Sequence, residues 1–279
     1  MSSISFHFNG RAYPKYPESE IAKLRSVLES NSSKSRAADE CEVLTFDNVS
    51  DSGMLIDCCR DLNIPVKNLG KEPLFTELKN TYPATDNWKE LSEGATRRVG
   101  LQGGFLFMHK LFGVYHYLKN NKTKKYVSFF DQSDTYLVDS PSERINEFKS
   151  MNCEMLFNAE TKCMYWPMAV RQDSELYPKV NKFLINYGDV KKFEEETYSD
   201  CRVSNGHKFC YLNSGGFITS ADYYVHFFEK YLNFMLETIH FFDQTIMHHF
   251  HRIYYPEIKI DHKCEVLQCT GPNVVEFNL

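Results

Sequence analysis

Apolar positions along the chain switch between a period of two and a period near four, and this switching lays out alternating strands and helices. Cys41–Phe46 is a short apolar run that reads as a strand. In Asp51–Leu62, the residues Leu55, Ile56, Cys59 and Leu62 form a helical stripe, and Ile64–Leu69 reads as the next strand. A long polar connection over 71–98 follows, of a length that in compact domains is often functional. Phe107, Leu111, Val114 and Leu118 then repeat at helical spacing and predict a helix over Gly104–Lys119. Tyr126–Phe130 is an aromatic and β-branched strand that ends in Asp131. Pro141 opens a helix to Lys149, and Cys153–Phe157 is another strand. Phe209–Leu212 and Gly216–Thr219 read as two strands flanking a Gly-Gly turn. Val225, Phe228, Leu232 and Met235 mark one further helix, and Ile246, Phe250 and Ile253 mark another that starts near Asp243. Short strands near Ile258–Ile260 and Glu265–Leu267 close the chain, and no internal repeat is evident.

The β-α-β alternation of the first half predicts an α/β fold, a Rossmann-like mixed, mainly parallel sheet with helices on both faces. The second half mixes its elements less regularly, so one nucleotide-binding half joined to one acceptor half is the expected plan. Residues 1–40 look different. A Ser-rich, charged stretch, Glu29–Arg36, separates a short helix near Glu18–Leu28 from the body. Residues 1–40 therefore read as an N-terminal extension and mobile linker, and 41–279 as the main domain.

Composition narrows the function classes. With 279 residues, 42% of them hydrophobic and 15% aromatic, the chain can build a large core. A formal net charge of −5 argues against a nucleic-acid partner, which usually meets a basic excess. The apolar runs are too short to span a bilayer, so no membrane partner is expected. Met1–Arg11 lacks a charged region followed by an apolar run, so no secretory signal is read there. The nine Cys form no C-x-x-C pair, which speaks against a zinc ribbon. Free thiols are the preferred expectation, with a disulfide involving Cys201 and Cys210 as the alternative.

Candidate chemistry sits at the ends of the predicted elements. Tyr126–Asp134 delivers two carboxylates, Asp131 and Asp134, at the C-terminal end of a buried strand. That edge is where open α/β sheets bind ligands, and the D-x-x-D spacing suits Mg²⁺ or Mn²⁺ with diphosphate oxygens. The alternative is an exposed turn in which Asp131 caps local amides. Asn213-Ser214-Gly215-Gly216 offers a tight turn with exposed amides, either for a sugar or as an ordinary turn. Asp243 and Gln244 open a helix, where they can touch sugar hydroxyls, serve as a base, or cap the helix. Trp166 beside Pro167 can stack on a sugar or a base, or pack. His248, His249 and His251 are expected to spread over different helix faces, so that they cannot all converge on a metal, and a solvated or packing role is expected of them.

Taken in order, D-x-x-D, Ala159-Glu160 with Trp166-Pro167, Leu212–Ile218, Asp243-Gln244, and Ile260-Asp261-His262-Lys263 followed by Gln268 resemble the glycosyltransferase domain of the procollagen lysyl hydroxylases. Thr96–Gly100 and Gly103-Gly104 look like the donor-binding stretch of that family. The likeness covers roughly residues 41–279. It implies a GT-A fold, Mn²⁺, and transfer of galactose or glucose from a UDP-sugar to a hydroxyl acceptor, (galactosyl)hydroxylysine in collagen-like sequences or another glycan hydroxyl. By this resemblance Asp131 and Asp134 hold the metal and the diphosphate. Thr45, Asp47, Ala95 and Thr96 lie near the nucleotide. Trp166, Asn213, Ser214 and Gly215 line the sugar or acceptor site, and Asp243 and Gln244 face the donor sugar or acceptor. It also implies a secretory-lumen or virus-associated setting, whereas the first eleven residues suggest a cytoplasmic one. Three departures stand out. No His occupies the motif that supplies the family's third metal ligand. Phe241-Phe242 replaces an acidic run before Asp243. A Lys of the family helix has Phe107 near its place, with Lys110 one turn on. A degenerate domain that binds without catalysing is therefore the second expectation, and the oligomeric state is open.

Overall fold

The computed structural model describes residues 3, 5–8, 18–32, 40–47, 50–81, 105–163, 187–238 and 243–270. Its centre is a six-stranded mixed sheet. The strands are β2 (Cys41–Thr45), β3 (Val66–Asn68), β4 (Tyr126–Phe130), β6 (Met155–Glu160), β9 (Tyr211–Ser220) and β10 (Ile258–Ile260), in the order β10-β6-β9-β4-β2-β3. Pairing is parallel for β2 with β3, β2 with β4, and β6 with β10, and antiparallel where β9 lies between β4 and β6. The sheet is thus mixed as expected, with β9 the reversed strand. A second sheet joins β1 (Ser5–Phe8), β5 (Thr135–Leu137) and β11 (Leu267–Thr270) in the order β11-β1-β5. A small hairpin pairs β7 (Val203–Ser204) with β8 (His207–Lys208).

Period-two alternation sorts the central strands into two cores. Val127 and Phe129 of β4, Met155 and Phe157 of β6, and Phe217 of β9 face one side. There they meet α4 (Phe105–Asn120), α7 (Ala221–Thr238) and α8 (Asp243–Tyr254). Phe129 stacks on Phe217 at 5.4 Å and Phe217 on Tyr224 at 5.6 Å, which locks α7 over the middle of the sheet. On the other side, Val43, Tyr126, Phe130, Leu156 and Ile218 meet α2 (Met54–Asp61), α5 (Ile145–Ser150) and α1 (Glu18–Ser32). Each of these buried aromatic or aliphatic side chains contributes about 1.5–3 kcal/mol. Burial on both faces explains why these strands read as continuous apolar runs.

The described parts of the N-terminal segment lie against this body. Ile21, Leu24 and Leu28 of α1 are buried with Leu55 and Cys59. Asn31 donates to the Val138 carbonyl at 2.8 Å, and β1 pairs with β5 and β11. The Ser-rich text at 33–36 falls outside the described residues, whereas the helix before it is longer than the apolar pattern predicts and is docked. Within the polar connection over 71–98 a further helix appears, α3 (Leu74–Thr81), anchored by the buried Leu78.

The largest departure from the expected elements is β9. Sequence reading splits it at Asn213–Gly216, but Tyr211–Ser220 is one ten-residue strand. Gly216 serves a close approach rather than a turn. A Cβ on Gly216 would meet Asn158 Nδ2 at 2.7 Å and Phe130 Cδ1 at 3.0 Å. Against β6 the register jumps there, since Asn158 faces Asn213 while Phe157 faces Phe217. Ser214–Gly216 therefore bulge from β6 while Gly216 still faces Phe130 of β4.

Candidate functional site

The strand order reverses direction between β2 and β4. The chain runs outward from β2 to β3, then returns to place β4 on the other side of β2. Such a switch point opens a crevice beyond the C-terminal strand ends, the usual ligand position in open α/β sheets. Thr45, Asp47 and Asp131 all stand at this point. Thr45 is fully buried, and its hydroxyl donates to the Phe130 carbonyl at 2.7 Å, tying the ends of β2 and β4 together. The Asp47 carboxylate accepts from the Ser50 amide at 2.8 Å.

Two amide side chains that sequence reading passed over fix the loops of this edge. Asn68, at the end of β3, accepts from the amides of Asp47 and Gly70 and donates to the Asp47 carbonyl and to Gln132 Oε1. Gln132, inside the D-x-x-D turn, donates to the carbonyls of Ser50 and Ser52. The segment between Asp131 and Asp134 is thus clamped to the loops after β2 and β3. Only the long-range bonds reveal this role, since nothing in the local pattern distinguishes these amides from other turn residues.

Lys110 of α4 is the centre of charge. Its ammonium lies 3.1 Å from Asp131 Oδ1, 2.6 Å from Asp243 Oδ2 and 3.4 Å from the Ser214 carbonyl. Burial alone would lower its pKa, but the carboxylates of Asp131 and Asp243 outweigh that and hold the lysine charged. Asp243 and Lys110 are almost completely covered, whereas the Asp131 side chain remains 31% exposed. Asp134 follows in the same turn, half-buried, before β5. Lys110 was noted from sequence only as lying one turn beyond a family position. A lysine set within the apolar part of this helix, well before Lys119 at its end, is the signal that could have marked it, because an isolated cation does not stay buried without carboxylate partners.

Gln244 joins the second half of the site to the first. Its amide nitrogen donates to Glu160, at the end of β6, and to the Leu212 carbonyl at 2.9 Å, and its oxygen lies 3.5 Å from the Ser214 amide. Asn213 is buried and its side chain accepts from the Gly215 amide at 2.9 Å, which shapes the β9 bulge. The Gly215 carbonyl in turn accepts from the Asp131 amide at 2.9 Å. Asp131, Asn213, Ser214, Gly215, Asp243 and Gln244, spread over more than a hundred positions of sequence, are thereby linked through Lys110 and the bulge. Beside them Asn158 is fully buried, with no hydrogen-bond partner for its side-chain amide among the described residues. Such a group costs about 1–3 kcal/mol unless something bonds to it. Ala95, Thr96 and Trp166 lie outside the described residues.

The three histidines do not all converge, but two of them share a face that the expectation had kept apart. His248 and His251 are three residues apart on α8, so they share a face. Both reach Glu194 Oε1 of α6 (Tyr187–Thr197), from Nδ1 at 2.7 Å and 3.1 Å. Only His249 points elsewhere. Cys58, Cys153, Cys201 and Cys210 are free thiols, so Cys201 and Cys210 form no disulfide. Burial pushes the thiols of Cys58, Cys153 and Cys210 up to about 12, which leaves them unreactive at neutral pH. At the opposite, N-terminal edge of the sheet an open groove of about 480 Å³ is lined by Lys125, Tyr126, Lys149, Glu154 and Glu257. Its mixed charges and distance from the switch point separate it from the carboxylate edge.

The fold and this edge define an α/β protein with a buried lysine–carboxylate centre at the ligand-binding end of its sheet. No protein-family model matches the chain, and no curated protein matches it. Among the described residues no helix is long and apolar enough to cross a membrane.

Proposed function

We propose that this chain is a GT-A-type glycosyltransferase domain that moves a hexose from a UDP-sugar to a hydroxyl acceptor, with a collagen-like (galactosyl)hydroxylysine or another glycan hydroxyl as the acceptor class. The observation that carries this reading is the convergence of Asp131, Lys110, Asp243 and the β9 bulge at the switch point of the sheet. Asp131 and Asp134 supply hard oxygen donors that fit Mn²⁺ or Mg²⁺, and Asp131 keeps exposed carboxylate surface for it. Bound there, the cation would offset the negative charge that develops on a departing nucleoside diphosphate.

The remaining roles belong to the chain itself. Lys110 acts as a positioning residue that holds the Asp131 carboxylate and the Ser214 carbonyl in place and adds a fixed positive charge beside the diphosphate position. Asn213 and Gln244 fix the bulge at Ser214 and Gly215 that the sugar would approach. The unpartnered amide of Asn158 behind it fits a site whose polar groups are completed by a hydroxyl-rich ligand. Asp243, held by Lys110, stands at the start of α8, where it can accept from a sugar hydroxyl.

One observation favours a second reading. Lys110 already neutralises two carboxylates, and no third carboxylate, His or Cys among the described residues joins Asp131 and Asp134 as a cluster of metal ligands. A degenerate domain that binds without catalysing fits that feature. Calorimetry with UDP and Mn²⁺ and a UDP-release assay across several UDP-sugars separate the two. Micromolar UDP binding with turnover, both abolished in Asp131→Ala at an unchanged melting temperature, is the expected outcome. Full turnover in Asp131→Ala would overturn the metal role, and absence of both binding and turnover in the unaltered chain would favour the module.

A further inference from the structure

We propose that Cys163, Glu194 and His248 form a zinc site, separate from the carboxylate edge, that pins α6 and the exit of β6 onto α8. The ligand atoms of these three residues lie within 4.8 Å of one another. They come from three places in the fold. Cys163 sits just past the end of β6, Glu194 projects from α6, and His248 lies one turn beyond Gln244 on α8. Thiolate, imidazole and carboxylate together are a borderline-soft donor set that suits Zn²⁺ far better than Mg²⁺ or Mn²⁺.

Three further observations point to a cation there. Glu194 and His248 are completely buried. Among the described residues one Glu194 oxygen, Oε2, has no hydrogen-bond partner, so a buried carboxylate retains an unused acceptor. The surroundings also hold that carboxylate as metal-site neighbours commonly do. His251 Nδ1 lies 3.1 Å from Glu194 Oε1, His251 Nε2 lies 2.7 Å from the Tyr198 hydroxyl, and Tyr198 in turn accepts from the Ile260 amide at 3.2 Å. This chain assigns one consistent set of protons: His251 donates to Glu194 and accepts from Tyr198. It orients the carboxylate without taking a metal position itself, as outer-shell partners do.

On binding, Cys163 ligates as the thiolate and releases its proton to solvent. His248 ligates through Nδ1, which now faces Glu194 at 2.7 Å, and carries its proton on Nε2. Zinc takes the place of the hydrogen bond between His248 and Glu194, and a water completes a four-coordinate shell. The consequence reaches the candidate site. Glu160 bonds Gln244, Cys163 lies three residues beyond Glu160, and His248 lies four beyond Gln244, so the metal fastens the same two elements that carry the Gln244 contact.

The test measures metal rather than turnover, so its outcome is independent of the donor-sugar reading. The full chain is stripped with chelator, dialysed against Zn²⁺ and passed through a desalting column, and bound metal is measured by atomic emission. A parallel sample takes Co²⁺ for absorption spectroscopy. One retained zinc per chain is expected, with a thiolate-to-cobalt charge-transfer band and a higher melting temperature in the zinc form. Cys163→Ser, at a half-buried position, should fold, lose that band and bind zinc at least about tenfold more weakly. His248→Gln should do the same where it folds. Asp131→Ala should retain the zinc. A chain that keeps no zinc through the column, a cobalt form without the thiolate band, or a Cys163→Ser variant that binds as the unaltered chain does would each overturn the proposal.

Discussion

Helix α8 carries two charge clusters that differ in what surrounds them. At its first turn, Asp243 pairs with Lys110, which also holds Asp131, and Asp131 reaches solvent. One turn on, His248 and His251 close on Glu194 with no exposure at all. Both clusters follow the rule that buried charge must be paired. The first pairs a permanent cation with two anions and leaves one anion at an open sheet edge. The second pairs an anion with two titratable imidazoles and seals them between α6 and α8. Access, rather than charge, separates a cluster able to meet a dissolved ligand from one able to hold only an ion.

The strongest way to break this contrast is to remove the permanent cation. Lys110→Met leaves Asp243 buried without its partner, and a loss of about 3–5 kcal/mol in denaturant-unfolding free energy is expected, along with UDP binding. A loss below 1 kcal/mol would mean that Asp243 is readily hydrated. Glu194→Gln tests the sealed cluster. It keeps a hydrogen-bonding oxygen but removes the charge, so a smaller loss, about 2–3 kcal/mol by the same measurement, is expected.

Gly216→Ala probes the bulge between the clusters. The added methyl group collides with Asn158 and Phe130, and an overpacking cost of about 1–3 kcal/mol is expected, read as a lowered melting temperature. A neutral result would mean that β6 and β9 can part without loss.

Asp261 sharpens the comparison because it is buried with no ion pair among the described residues. Burial pushes its carboxyl up to about 6, against the amides of Glu265, Val266 and Leu267 that donate to it and pull it down. Its folded pKa lies above its unfolded one, so the native state binds the proton more tightly. The stability this supplies is complete below about pH 4 and is lost as pH rises to about 6. Unfolding free energy of the unaltered chain should therefore fall by on the order of 1–2 kcal/mol across that window relative to Asp261→Asn. Parallel profiles for the two chains would show that the three amides hold Asp261 ionised throughout.

Most of the sheet was legible because apolar periodicity directly reflects burial. Tyr126–Phe130 and Ile258–Ile260 fall where the pattern puts them, and Asp131 sits at the strand end that the pattern assigns. The reading failed at β9, where Asn-Ser-Gly-Gly carries the local signature of a turn. The requirement met there is clearance from Asn158 and Phe130, which belong to neighbouring strands. It failed again at His248 and His251, because a helix face can be judged only with its partner, and Glu194 lies more than fifty positions away. Asn68 and Gln132 were passed over, and Lys110 was given no partner, for the same reason, since each acts on residues distant in the chain.

The sequence by itself determined the α/β alternation, the two-faced burial of the central strands and the placing of Asp131 and Asp134 at a strand end, because strand and helix periods are local properties of the chain. Only the tertiary structure decided that β9 runs unbroken and reversed, that one lysine joins Asp131 to Asp243, and that two histidines share one glutamate. Those outcomes depend on which side chains meet after folding, and the energies that select them, close packing and the pairing of buried charge, do not exist until distant segments are in contact.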